Sequence, residues 1–215
     1  MRMRIGVLGT GGMADALGTR WARAGHEVFV GGRDTTRAAA LAERLGGHAG
    51  DLRAAAEFGE DAVLVALPWR AAVDVVGGLK DGLRSRTLID CTNPVGPGFV
   101  LETAGGPSAS ARLASAAPGA HVVKAFNLCH EDVWRLAPPV FDGRPLAVPL
   151  CGDDEKALSA VRHLVRDLGC EPLNAGPLAR AGLVEATAAL LIGLWVGEGA
   201  DAQAIAPPWA AAGRR

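Results

Sequence analysis

A short apolar run, Arg4-Ile5-Gly6-Val7-Leu8, leads straight into Gly9-Thr10-Gly11-Gly12-Met13-Ala14. When a strand precedes a G-x-G-x-x-A spacing and a helix follows it, the turn is shaped to hold a dinucleotide. Gly9 permits the tight turn, Gly11 lets the backbone approach a pyrophosphate, and Ala14 is small enough for close helix–strand packing. The unpaired N–H groups that open the helix, here at Gly12 and Met13, then face the phosphates. Glycine-rich turns of this kind also occur for packing alone. Its place at the very first strand-to-helix junction favours the dinucleotide, and it commits the chain to open as a β-α unit of a parallel sheet.

The remainder alternates short apolar runs with helical patterns, as a parallel sheet covered on both faces requires. The expected strands are 4–9, 27–32, 62–67, 87–91, 121–126, 146–151 and 170–174, with a weaker one at 47–49. Helices are expected at 12–24, 35–45, 70–79, 109–116, 154–168 and 178–199. This is an α/β fold, a doubly wound, mainly parallel sheet with a short C-terminal helical part. The expected division is a nucleotide-binding domain over 1–176, a C-terminal helix for the acceptor and dimer side over 177–200, and a tail over 201–215.

Size and charge narrow the function classes. With 215 residues, 49% hydrophobic and 21% charged, the chain is globular and large enough for one core without staples. A net charge of −1 leaves no general basic field for nucleic acid or an anionic membrane. Cys91, Cys129, Cys151 and Cys170 show no metal or disulfide spacing and read as buried thiols, so no metal site is expected. The most apolar stretch, Ala186–Gly197, lies between Glu185 and Glu198 and is shorter than the roughly 20 residues a bilayer span needs. It reads as a buried helix, and no export signal precedes the first strand, so a soluble, cytoplasmic protein is expected.

The end of the second strand selects the cofactor. An NAD site usually carries an acidic residue at that tip. Here the tip reads Gly31-Gly32-Arg33-Asp34-Thr35-Thr36-Arg37. The guanidinium groups of Arg33 and Arg37 suit the additional phosphate of NADP. Asp34 reads as the N-cap of the next helix.

Later strand ends face the same crevice. Leu67-Pro68-Trp69 follows the third long strand and can wall the nicotinamide. Asn93, held extended by Pro94, follows the fourth. Asn127-Leu128-Cys129-His130 follows the fifth, and His130 is the only histidine at such a position. The candidate catalytic residues are His130, Asn93 and Asn127.

These turns identify a resemblance. The segments RIGVLGTGGMADAL, VFVGGRD, VALPW, LIDCTNPV, APGAHVVKAFN, CGDDEKALSAVRHLVRDLG and NAGPLARAGLVEATAALLIGL run in the order found in NADPH-dependent reductases of the deazaflavin coenzyme F420. The chain resembles that family and the dinucleotide-binding group around it. The resemblance implies cofactor contacts at Thr10, Gly11, Gly32, Arg33 and Arg37, and a nicotinamide near Leu67, Pro68 and Trp69. It also implies a flat acceptor near Asn93 and the Asn127–His130 turn, and a dimeric assembly. Two departures stand out. Gly32 replaces a small hydroxyl residue, which loosens the expected grip on the NADP phosphate. The segment after AGPLAR lacks the usual leucine–glutamate–proline start, which leaves the acceptor open.

The reaction implied is hydride transfer between the nicotinamide and a stacked acceptor such as a deazaflavin. Two alternatives stand beside it: reduction of a small specialised-metabolite imine or carbonyl, with His130 as proton donor, and a non-catalytic NADPH-binding sensor or partner protein. The expected dimer uses the apolar face of Leu190, Leu191, Leu194 and Trp195, with the second subunit completing the site.

Overall fold

The computed structural model describes residues 1–103 and 105–205. Of the tail expected over 201–215, Ala202–Ile205 forms a 3-10 turn; residues 206–215 lie outside the described residues.

The described residues form ten strands and nine α-helices, among them the eight strands and six helices expected from the sequence. The first half contains β1 (Arg4–Leu8), α1 (Gly12–Arg23), β2 (Glu27–Gly31), α2 (Thr35–Leu45), β3 (His48–Gly50), α3 (Leu52–Phe58), β4 (Ala62–Val65), α4 (Trp69–Gly78) and α5 (Lys80–Leu83). The second half contains β5 (Thr87–Asp90), α6 (Ala109–Ala116), β6 (His121–Lys124), α7 (Glu131–Arg135), β7 (Val140–Phe141), β8 (Arg144–Pro145), β9 (Ala147–Gly152), α8 (Glu155–Asp167), β10 (Glu171–Gly176) and α9 (Ala181–Ile192). Eight strands form one sheet in the order β10-β9-β6-β5-β4-β1-β2-β3, and β7 pairs with β8 in a separate hairpin.

Every pairing in the large sheet is parallel except β6 with β9, where Lys124 faces Cys151 and Val123 faces Gly152. A parallel return needs a crossover long enough to recross the sheet. The only helix between β6 and β9 is the five-residue α7. The chain stays at the carboxyl edge and comes back antiparallel, which strand patterning alone does not reveal. The short elements α3, α5, α7 and the β7–β8 hairpin also carry too little periodicity to be read from sequence.

The sheet separates two apolar layers. One centres on Trp21, Phe126 and Trp134, whose rings meet edge to face at 5.7 and 5.4 Å. The other packs α3, α4, α5 and α6 against the opposite face through Ala55, Ala56, Val76, Leu83 and Leu113.

The C-terminal helical segment matches the expected span 178–199, but the stretch Ala186–Gly197 is not the buried helix it suggested, with Leu190 and Val196 exposed. The segment runs through Leu178–Gly197, 20 residues, ending in a π-helical turn over Gly193–Gly197. By length and composition alone such a helix can cross a membrane. Here one face is buried through Ala181, Val184, Glu185, Ala188 and Ala189. Glu185 is what fixes it to the sheet. Lys124 Nζ, fully buried, lies 3.0 Å from Asp90 Oδ2 and 3.3 Å from Glu185 Oε1, and donates to the Thr92 carbonyl at 2.6 Å. Glu185 also accepts from the backbone N–H groups of Ala109 and Ser110, which open α6. That position at a helix N-terminus offsets the second buried negative charge.

Burial alone would push the Asp90 carboxyl upward, but the Lys124 charge and the hydrogen bonds from Ser110 and Thr92 outweigh it and hold it below its usual value. A carboxylate with a depressed folded value stabilises the fold above the unfolded value of about 4, and the contribution disappears as pH falls through the folded one. Removing Lys124 leaves two buried carboxylates without their cation. Lys124→Met should therefore lower unfolding free energy by about 3–5 kcal/mol at neutral pH. Urea denaturation followed by circular dichroism checks this, and a loss below about 1 kcal/mol would show that the cluster is not holding α9.

Candidate functional site

The carboxyl ends of β1, β2 and β4 surround a cleft of about 520 Å³. Its floor is Gly9, Thr10 and Gly11, one end is Gly32, Arg33 and Arg37, and the opposite wall is Leu67 and Pro68. Gly9 sits at φ +124°, and a Cβ there would lie 2.2 Å from the Ala66 carbonyl oxygen. Only glycine fits. A Cβ on Gly11 would meet nothing within 4 Å, so this residue opens onto the space a pyrophosphate would need. Ala14 is fully buried beneath the turn.

Gly32 has its own explanation. A Cβ there would stand 2.9 Å from Thr10 Cγ2, so the Thr10 methyl occupies the room that a larger residue would take. Arg33 and Arg37 are exposed at the cleft mouth and form no ion pair among the described residues. Asp34 caps α2, accepting from the N–H groups of Thr36 and Arg37 at 3.0 and 3.1 Å, as its position suggested.

Trp69 departs from expectation. It begins α4 on the far side from the cleft, donating through Nε1 to Glu102 Oε2 at 2.5 Å, with the Arg112 guanidinium 5.5 Å from the ring centroid. Glu102 is also paired with Arg70. The pull of this carboxylate, on a loop without periodicity, turns the indole away from Leu67 and Pro68.

Across the Gly9–Met13 turn lies a second cavity of about 570 Å³. It brings together Met13, Cys91, Asn93, Asn127 and His130 with Phe126, Leu128 and Val133. Asn93 and Asn127 hold each other: Asn93 Nδ2 donates to the Asn127 carbonyl at 2.7 Å, and Asn127 Nδ2 to Asn93 Oδ1 at 2.9 Å. Asn127 Nδ2 also reaches the Val184 carbonyl on α9 at 3.4 Å. The pair thus ties the β5 and β6 turns to the C-terminal helix, and much of its hydrogen-bonding capacity is used internally. The His130 side chain is 71% exposed at the pocket rim, where Nδ1 accepts from the Asp132 N–H at 3.4 Å and caps α7. Phe126 adopts φ +62°, a strained conformation for a bulky residue, directly after β6.

Two participants escaped sequence reasoning, and a third was expected only on the dimer face. The Glu131 carboxylate lies against Gly12, so that a Cβ there would sit 1.9 Å from Oε1 and Glu131 would have to swing aside. Glu185 looked like the border of an apolar run. Trp195, with Ile192 and Val196, forms a wall of this cavity in addition to its exposed apolar surface. The KAFN turn was the available signal for Glu131; none existed for the pairing of Glu185.

Among the described residues, His26, His163 and Asp167 lie close enough to hold an ion. Met3 N–H donates to His26 Nδ1 at 3.1 Å, and His26 Nε2 contacts Asp167 Oδ2 at 2.9 Å. The first bond places the proton of the neutral ring on Nε2, and both nitrogens are employed structurally.

The fold and the cleft define the class, a Rossmann-type domain with a glycine-lined cleft at the carboxyl ends of its strands. Residues 4–94, less than half of the chain, match the family model "NADP oxidoreductase coenzyme F420-dependent". The chain is 29% identical to the F420-dependent NADP reductase of Methanothermobacter marburgensis over 89% of its own length and 92% of that protein. It is 32% identical to the metalloreductase STEAP3 of Rattus norvegicus over 89% of its length, but spans only 38% of that relative. The crystal structure of a putative F420-dependent NADP-reductase from Arthrobacter sp. FB24 superposes with a TM-score of 0.82 at 23% identity, covering 92% of this chain and 96% of that one, which supports the fold.

The thiols around the second cavity are poor nucleophiles. Burial pushes Cys91 up to about 12 and Cys129 up to about 11. Cys91 Sγ also donates to the Val65 carbonyl at 3.3 Å. At pH 8 both should alkylate with iodoacetamide at least ~10-fold more slowly in the native protein than in urea. Peptide mass spectrometry reads the rates, and equal labelling in both states would contradict this burial.

Proposed function

We propose that the chain transfers hydride between NADP(H) and a flat acceptor such as a deazaflavin, with the dinucleotide in the Gly9–Arg37 cleft and the acceptor in the Met13–His130 cavity. The observation that carries this reading is the Gly9–Met13 turn, which has Gly11 on the cleft and Met13 on the apolar cavity. A bound dinucleotide supplies the hydride equivalent. The chain's residues do the rest. Backbone N–H groups at the start of α1 receive the pyrophosphate, and Arg33 and Arg37 receive the 2′-phosphate. The apolar wall excludes water and restricts the acceptor to one geometry. A deazaflavin delocalises the charge it gains, so its reduction needs no buried proton donor from the cavity. Lys124, the one lysine near this region, is committed to Asp90 and Glu185.

Residues 1–176 act as the cofactor unit in this reading, and 177–200 complete the acceptor side and a homodimer. Leu183 and Leu190 are 59% and 56% exposed on the outer face of α9, while Leu191 and Leu194 are half-buried. A second copy of the chain would cover that face, in a soluble, cytoplasmic protein like the F420-dependent reductases it resembles. Leu190→Glu should convert the dimer to monomer in sedimentation at micromolar concentration; a wild-type monomer would refute the assembly.

Loss of NADPH absorbance should be rapid with oxidised deazaflavin and slow with FMN, FAD, ketones and imines. Turnover only with an imine or ketone would move the assignment to the small-carbonyl alternative. Arg33→Ala should weaken NADPH binding about 10- to 100-fold, the loss of one or two charge-assisted bonds, and leave NADH unaffected. An unchanged NADPH affinity would place the 2′-phosphate elsewhere.

A further inference from the structure

We propose that Trp195 is the specificity-determining residue of the acceptor cavity, selecting a flat tricyclic ring system, and that a strap from Glu102 to Phe99 positions it. This rests on the reading of the cavity as the acceptor site and narrows its substrate class. Ile192, Trp195 and Val196 form one wall of the cavity, and all three come from the end of α9 and its π-helical turn. π-helical turns are rare, and a side chain inserted beside the helix is a recurrent companion of such distortions. Here the companion is Phe99. A Cβ on Gly193 would lie 3.4 Å from Phe99 Cβ, and one on Gly197 would lie 2.9 Å from Phe99 Cε2. The two glycines let the phenyl ring rest directly on the turn.

Phe99 is itself held under constraint. Its φ is +59°, a region a phenylalanine adopts only where its surroundings impose it. The imposing structure is a small loop. Phe99 N–H donates to the Gly96 carbonyl at 3.1 Å, Gly96 N–H to the Val100 carbonyl at 2.8 Å, and Glu102 N–H to the Pro94 carbonyl at 2.7 Å. Glu102 fastens the loop to α4 through Trp69 and Arg70. A continuous set of contacts therefore runs from α4, behind Leu67 and Pro68, to the wall that carries Trp195.

The chemistry of the cavity favours an aromatic occupant. Its volume of about 570 Å³ is within the range that takes ligands of several fused rings, roughly 300–1,000 Å³. Asn93 and Asn127 bond to one another, and Cys91 to Val65, so recognition inside the cavity is mainly apolar contact. His130 and Glu131 offer polar groups at one edge only. A small aliphatic ketone would leave most of this space unfilled. Trp195, 41% exposed, has surface left to cover, and an indole against a fused ring adds an aromatic contact to that burial.

The test uses the full chain and two fluorescent tricyclic probes, the deazaflavin chromophore and riboflavin, with binding read by anisotropy and NADPH binding measured in parallel. Trp195→Ala should weaken the better-bound tricycle about tenfold or more, and Trp195→Phe should restore it to within about threefold. Phe99→Ala should weaken it like Trp195→Ala. NADPH affinity should change less than about twofold in all three variants. Wild-type affinity in Trp195→Ala overturns the proposal, as does parallel loss of tricycle and NADPH, or failure of the wild type to bind either tricycle. If the wild type binds a tricycle but does not reduce it, the hydride-transfer reading fails while the role of Trp195 stands.

Discussion

The buried contact of Lys124 with Asp90 and Glu185 is the constraint on which the site depends. Asp90 closes β5, Lys124 closes β6, and Glu185 comes from α9 while receiving the first N–H groups of α6. Four elements meet at one point without access to water. Each charge is expensive to bury, and each is tolerable only because the others and their hydrogen bonds are present. The arrangement therefore admits little displacement. Residues just beyond it, Asn93 after β5 and Asn127 after β6, face each other at fixed spacing, and the end of α9 is directed over them. The apolar cavity is a consequence of that geometry.

The two halves of the site arise from different physics. The cofactor cleft is a backbone device: glycines at 9 and 11 remove side chains, and helix-end N–H groups supply the positive potential. Such a device is local in sequence: Gly9, Gly11, Arg33 and Arg37 line one cleft and Asp34 caps α2, as their positions suggested, while the cofactor role of the cleft is the proposal. The doubly wound, mainly parallel layout followed as well, because hydrophobic runs and short connections leave few topologies. The acceptor half is assembled from side chains far apart in the chain. Asn93, Asn127 and His130 could be proposed because strand ends share an edge. That the two asparagines bind one another could not, since register between β5 and β6 is set by packing.

The misplacement of Trp69 follows the same logic. Its neighbours Leu67 and Pro68 line the cleft as their position at the β4 end suggested. Trp69 is the next residue, already in a helix, and its direction is decided by Glu102, 33 positions later. A proline–tryptophan pair reads as one wall in sequence, whereas the start of α4 divides it between two surfaces. The antiparallel β9 is similar: its residues are those of any buried strand, and its direction is fixed by the shortness of α7.

The C-terminal helix acquires its structural meaning from Glu185. A glutamate inside an otherwise apolar helix would be costly in a lipid or in a dry interface, yet here it is the anchor that orients every other residue of α9. With Glu185 directed inward, Leu183 and Leu190 must face outward, and the helix end must reach the Asn93–His130 turns. The same rotation exposes an apolar face for a partner and delivers Trp195 to the cavity. Residues around Glu185 lie on α9, away from the Gly9–Gly11 turn, so changing them can alter the wall of the second cavity while that turn keeps its sequence.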